Sequence, residues 1–265
     1  MLFDTHCHLQ APELVADVGF HLAEARHAGV QALLVPAIYS RDWPQVLQLC
    51  QQARMIAAIG IHPWACAEES LNALEALAEI LHQGHAKIKA VGETGLDYSL
   101  PEQTWPKQEM FFRRQIALAT EFKLPLILHH RHSQLAILSE LKRQNFQQGG
   151  ILHAFSGSTE QGQAFVKLGF KLGIGGTITY ARSQKTRKAV AHLPLSSFVL
   201  ETDAPAMPLA GFQGQPNTPA QLKLVFEAFC QLRPETPAQI AAVLWQNATQ
   251  VLQLHTESQK SSIAS

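Results

Sequence analysis

Neither sign of charge dominates this chain. Lysine plus arginine and aspartate plus glutamate each number 21 in 265 residues, a formal net charge of zero. A protein that grips long nucleic acid carries a basic face and a raised pI, so any nucleic-acid contact expected here is local and short. Cysteine is sparse and unpaired: Cys7, Cys50, Cys66 and Cys230 are scattered, with no CxxC. Scattered thiols behind the N-terminal string MLFDTHCHL, which has neither a basic n-region nor a long apolar h-region, give a cytoplasmic, reduced protein as the expectation. No stretch approaches the roughly 18 apolar residues of a membrane helix, so no membrane partner is expected. Gly173, Gly175 and Gly176 do not spell GxGxxG and read as close-packing positions, not a dinucleotide loop. No linker-like segment divides the chain, which is read as one domain over 1–255 with a polar, frayed tail at 256–265.

What is present is apolar residue, at 46%, and histidine, at 13 copies. That is enough to bury one sizeable core, and the length fits one α/β barrel better than two small domains. Short apolar runs at 2–9, 32–38, 56–62, 88–92, 126–129, 151–155, 171–177 and 198–203 predict eight strands. Their continuous apolar character suits parallel strands covered on both faces. Helical patterns lie between them. Leu71, Leu74, Leu77, Ala78 and Leu81 share one helical face, with Ser70 as the expected N-cap and Gly84 as the stop. Thr218-Pro219-Ala220-Gln221 and Thr236-Pro237-Ala238-Gln239 both predict a capping box with proline in the first turn. Eight strand–helix alternations predict a closed (β/α)8 TIM barrel, with a doubly wound open sheet as the alternative.

The chemistry sits at strand ends. His6 and His8, two apart, share one face of an extended strand. Asp4 lies on the same face, as a partner behind the histidines. Glu93, His129, His153 and Asp203 each follow an apolar run, at the end of a parallel strand where barrel active sites are built. Two divalent ions about 4 Å apart can clamp the attacking and leaving oxygens of a displacement. Glu93 can offer one oxygen to each ion, neutral histidines complete the spheres, and Asp203 can hold an ion and take the proton from the attacking water. Glu201 faces the same interior and is placed to orient a ligand. His62 ends strand three at the mouth and is a candidate substrate contact. Arg131, flanked by His130 and His132, is a candidate phosphate clamp, and Lys185 and Arg187 follow the glycine-rich end of strand seven. Lys188 and His21, His27, His82, His85, His192 and His255 read as surface.

The strings Asp4-Thr-His-Cys-His8, Gly60-Ile-His-Pro63, Val91-Gly-Glu-Thr-Gly-Leu-Asp97, His153-Ala-Phe-Ser-Gly-Ser158, Gly173-Ile-Gly-Gly-Thr-Ile-Thr-Tyr180 and Glu201-Thr-Asp-Ala-Pro205 resemble the TatD family of metal-dependent hydrolases. The run from Leu209 to Asn217 points to its YjjV branch. The resemblance runs to about Leu254 and implies a TIM barrel with a two-metal site. It implies that His6, His8, Glu93 and Asp203 hold one ion, and Glu93, His129 and His153 the other. It also implies 3′-exonuclease activity on DNA. One departure is Thr94, where relatives often carry Ile, and it is expected to be harmless. Phosphodiester hydrolysis, on short single-stranded DNA or a small phosphoester, is the leading reading, with no obligate protein partner inferred. An amidohydrolase- or lactonase-type attack on a carbonyl is the second. A non-enzymatic metal- or RNA-binding barrel is the third, and the complete ligand set argues against it. Nitrogen-rich ligands favour Zn or Mn, and phosphoryl chemistry leans to Mg or Mn.

Overall fold

A computed structural model describes residues 1–254. Its eight strands are β1 (Leu2–Asp4), β2 (Val30–Pro36), β3 (Met55–Ile59), β4 (Ile88–Asp97), β5 (Leu126–Arg131), β6 (Gly150–Leu152), β7 (Phe170–Ile174) and β8 (Phe198–Leu200). They lie side by side in chain order, and each neighbouring pair from β1–β2 to β7–β8 is parallel. The last gap closes through Thr5 N–H to Leu200 O at 3.0 Å, Asp203 N–H to His6 O at 2.8 Å and His8 N–H to Ala204 O at 2.8 Å. That seam rules out the open sheet. All eight expected strands occur, with shifted ends. β1 stops at Asp4, although Cys7 still bridges Ala204 beyond it. β4 runs past Gly92 to Asp97 because β5 keeps pairing with it, Gly95 against His129 and Asp97 against Arg131.

The barrel has two apolar layers. Inside, Phe3, Leu34, Ile56, Ala90, Ile127, Ile151 and Val199 pack together, and Ala248 and Leu252 of the helix Pro237–Val251 join them. This helix stops one end of the barrel, where Trp245 meets Phe3 at 5.7 Å between ring centroids. Outside, the strands' other faces pack against the helices; in Asn72–His82, Leu74, Leu77 and Leu81 turn inward as their spacing demands. Burying each such leucine is worth about 1.5–3 kcal/mol.

Helix ends follow local hydrogen bonding more than local sequence. Leu71, not Ser70, is the N-cap of Asn72–His82, and no side chain caps it. Gly84 does end that helix, at φ +69°, where a side chain would be strained. Thr236 forms its capping box with Gln239. Thr218 does not: Pro219–Gln221 is a 3-10 turn leading into Leu222–Cys230. The amide of Thr218, which a box would give to Gln221, donates to Asn217 Oδ1 at 2.9 Å instead. The tail at 256–265 and His255 lie outside the described residues. Among the described residues, no helix is long and apolar enough to cross a membrane.

Candidate metal centre

The open mouth of the barrel, at the C-terminal strand ends, holds a buried cluster of polar side chains. His6 and His8 follow β1, Glu93 and His129 lie within β4 and β5, His153 follows β6, and Asp203 lies three residues past β8. All six converge, and His62, three residues past β3, joins them. Donor atoms of His6, His8 and Asp203, of His6, Glu93 and His153, and of His62, Glu93 and His129 lie within 4.8 Å of one another in each set.

Glu93 divides the cluster. Its Oε2 lies 3.0 Å from His6 Nε2 and 3.5 Å from His8 Nε2. Its Oε1 lies 3.2 Å from His129 Nδ1 and 3.4 Å from His62 Nε2. Asp203 faces His8 and His153 from across the mouth, 3.5 Å from His8 Nε2 and 3.7 Å from His153 Nε2. Asp203 holds φ at +59°, a left-handed conformation costly for a non-glycine residue; the bond from its N–H to His6 O holds the backbone there. The His153 ring stacks on that of His6, with centroids 3.6 Å apart.

Partners behind the cluster decide which ring nitrogen faces it. His8 Nδ1 lies 3.1 Å from Pro36 O, a carbonyl that can only accept, so the Nε2 lone pair points inward. His129 gives Nε2–H to Asp97 Oδ2 at 3.2 Å, leaving the Nδ1 lone pair against Glu93. His153 Nδ1 lies 2.9 Å from Glu201 Oε1, leaving Nε2 toward Asp203. Gly173 makes room for Glu201, since a Cβ there would come within 2.1 Å of Oε2. His62 differs: its Nδ1 accepts from Trp64 N–H at 3.1 Å, so Nε2 carries the proton and is a donor toward Glu93. Asp4 touches none of these rings. It accepts from Thr202 N–H, Thr202 Oγ1–H and the His6 amide, tying β1 to β8.

The electrostatics follow from burial and proximity. Burial alone would raise Glu93, but His6, His62, His153 and His129 outweigh it and hold it well below the usual carboxylate range. Asp203 is likewise held down against burial, by His153, His8 and His6. Burial pushes His62 down to about 4. Burial opposes protonation of His153 too, yet Glu201, Asp203 and Glu93 prevail and push it up to about 10.

Two basic candidates lie elsewhere. Lys185 is exposed on the first turn of Gln184–His192. Arg187 gives its guanidinium to Ile178 O at 2.6 Å, bracing the turn Gly176–Thr179. Neither lines the cavity over the cluster; nearness to a strand end in sequence did not carry them there, because the helix that bears them turns away. Arg131 does line that cavity, of about 520 Å³, beside His62, His130 and Trp64. Asp97 and Trp64 were not singled out from sequence. Asp97 had a readable signal: four positions after Glu93, it keeps that residue's face along an extended strand.

A barrel with a buried histidine–carboxylate cluster at its strand ends defines a metal-dependent hydrolase. The family model described as TatD related DNase matches residues 3–253, and the chain belongs to that family. It is 43% identical over 245 residues to the uncharacterized metal-dependent hydrolase YjjV of Escherichia coli (strain K12), covering 92% of this chain and 95% of that protein. The crystal structure of Escherichia coli YjjV superposes with a TM-score of 0.93 at 41% identity, over 96% of this chain and 98% of that one. The 3'-5' ssDNA/RNA exonuclease TatD of Salmonella typhimurium is 29% identical, over 93% of this chain and 97% of that protein.

Proposed function

We propose that the chain hydrolyses phosphodiesters, trimming the 3′ end of short single-stranded DNA or cleaving a small phosphoester, with two divalent ions bridged by Glu93. One observation carries the reading. Glu93 and Asp203 are buried carboxylates whose ion-pair partners among the described residues are all histidines. Against burial, three of those histidines, His8, His129 and His153, are pushed upward by the carboxylates they face. Buried negative charge requires a compensating partner, which is either a proton on each ring or a cation in its place. Cations would be held by His6, His8, Glu93 and Asp203 on one side and by Glu93, His129 and His153 on the other, and would meet that demand. The exonuclease activity named for the Salmonella typhimurium relative supports the phosphodiester assignment.

Divalent ions held there would supply positive charge to activate water and to offset charge on a phosphoryl group. The remaining work falls to the chain. Asp203, whose carboxylate is open to the cavity, takes the proton from the attacking water. His62 offers its Nε2–H to an oxygen of the substrate. Asp97 fixes the tautomer of His129, and the Glu201 carboxylate stands 2.9 Å behind His153 Nδ1. Arg131 meets a phosphate at the rim.

The test is metal analysis of the protein and of Glu93→Ala, with a screen of the reconstituted protein against short DNA, RNA, phosphomonoesters, esters and amides. Two ions per chain, fewer in Glu93→Ala, and cleavage of DNA or a small phosphodiester are the expected results. Unchanged stoichiometry in Glu93→Ala removes the bridge. Cleavage confined to esters or amides moves the reaction to a carbonyl.

A further inference from the structure

The cavity over the cluster is not lined by charge alone. Ile38, Pro205, Ala206 and Met207 contribute apolar wall, and Trp64 is its one Phe, Tyr or Trp side chain. Trp64 is 48% exposed, unusual for so large an apolar surface beside buried polar groups. It is also fixed. Its indole N–H donates to Asp97 Oδ2 at 3.0 Å, its backbone N–H donates to His62 Nδ1, and its ring meets His62 edge-on with centroids 4.7 Å apart. The His129 ring is 6.1 Å away. With its one polar atom engaged by Asp97, what the indole presents to the cavity is π-surface already held in place. A group that stacks there forfeits little ordering entropy of the protein.

We propose that Trp64 is the stacking platform for a heteroaromatic base, that of the nucleotide joined to the scissile phosphate; this rests on the phosphodiester reading above. A phosphate at the cluster carries its own base one sugar away, which is the displacement from His62 and His129 to the indole. Every base has a π-face, so the platform takes nucleotides without reading their sequence. It gives specificity for a nucleotide over a sugar phosphate or an alkyl phosphoester. A purely structural Trp64 would instead serve to hold Asp97 and shield its bond to His129, and that role needs the indole N–H.

Phenylalanine separates the two roles, since it keeps a ring and loses the N–H. The experiment uses the metal-reconstituted protein with dAMP and deoxyribose 5-phosphate as ligands, followed by quenching of intrinsic fluorescence and by calorimetry. In parallel, the KM of a dinucleotide is compared with that of the same dinucleotide lacking its 3′ base. The readout is the ratio between base-bearing and baseless compounds, which cancels any general loss of site integrity. A base–aromatic stack is worth about five- to 150-fold, so Trp64→Ala is expected to shrink the ratio by that factor while Trp64→Phe retains most of it. Equal treatment of the two ligands by the unaltered protein, with cleavage intact, overturns the platform and leaves phosphodiester hydrolysis standing. A ratio lost equally in Trp64→Phe and Trp64→Ala also overturns it, in favour of the structural role. Failure to bind or cleave any of the four compounds overturns both readings.

Discussion

Asp97→Asn changes one oxygen to an NH2 without changing shape, and the structure says what that does. Every contact of the Asp97 carboxylate is with a donor. Oδ2 accepts from His129 Nε2–H and Trp64 Nε1–H, at 3.2 and 3.0 Å, and Oδ1 accepts from Ser99 N–H at 3.0 Å and from its hydroxyl. Although burial disfavours the charge, these bonds hold Asp97 well below the ordinary carboxylate range. An amide must turn its NH2 toward one pair. Toward Ser99 it leaves one buried amide hydrogen unmet, a cost of about 1–3 kcal/mol, and the His129 bond loses its charge assistance. Toward His129 it drives the ring to the tautomer whose proton sits on Nδ1, removing the lone pair from the cluster. Either outcome weakens metal binding, and loss of such a partner typically costs about 10–100-fold in affinity. That is roughly 1.4–2.8 kcal/mol. The assay is competition for Mn or Zn against a chromophoric chelator, well below the melting temperature so that both proteins stay folded. An Asp97→Asn protein whose metal Kd lies within twofold of the unaltered one would refute the argument that Asp97 sets the His129 tautomer.

Three further outcomes are expected. Asp203→Asn keeps the fold and much of the metal but loses at least about 10²-fold in rate; near-normal turnover removes Asp203 as the base. Thr94 is fully buried and its hydroxyl has no hydrogen-bond partner, so Thr94→Val is expected to stabilise the protein by about 1 kcal/mol, and a denaturation midpoint that stays or falls counts against this. Burial raises the thiols of Cys7, Cys50 and Cys66, the last two to about 12, so at pH 8 they are protonated and unreactive. Burial raises the Cys230 thiol as well, but it alone is partly open to solvent and should react with a thiol reagent in the folded protein; the other three should follow on unfolding, and more than one thiol reacting before unfolding contradicts this.

The strands were legible because both their faces are buried, which writes them as unbroken apolar runs. Where β4 continues as Glu93-Thr94-Gly95-Leu96-Asp97 the run breaks, and only pairing with β5 keeps the backbone extended. His6 and His8 were placed together on the premise of a strand, yet the ladder of β1 ends at Asp4. The alternation survives because Cys7 bridges Ala204 and holds this stretch extended. Two tetrapeptides of the form Thr-Pro-Ala-Gln show the limit of local reading. Thr236 closes its box and Thr218 does not, and the difference is one residue outside the motif, Asn217, which captures the amide first.

The cluster itself divides along the same line. Residue type and strand-end position are local properties, and they brought His6, His8, Glu93, His129, His153 and Asp203 to one mouth. Which nitrogen each histidine offers is a property of what stands behind it, and that partner comes from a neighbouring strand or its end: Pro36 O of β2 behind His8, Asp97 of β4 behind His129, Glu201 beyond β8 behind His153. His62 makes the consequence plain. By residue type and distance it belongs with the ligands, 3.4 Å from Glu93. One backbone N–H, from Trp64, occupies its Nδ1 and turns its proton toward the cluster. A nitrogen bearing a proton donates a hydrogen bond and cannot hold a cation, so the same imidazole that by type and distance would complete a metal sphere presents a hydrogen-bond donor to the cluster instead.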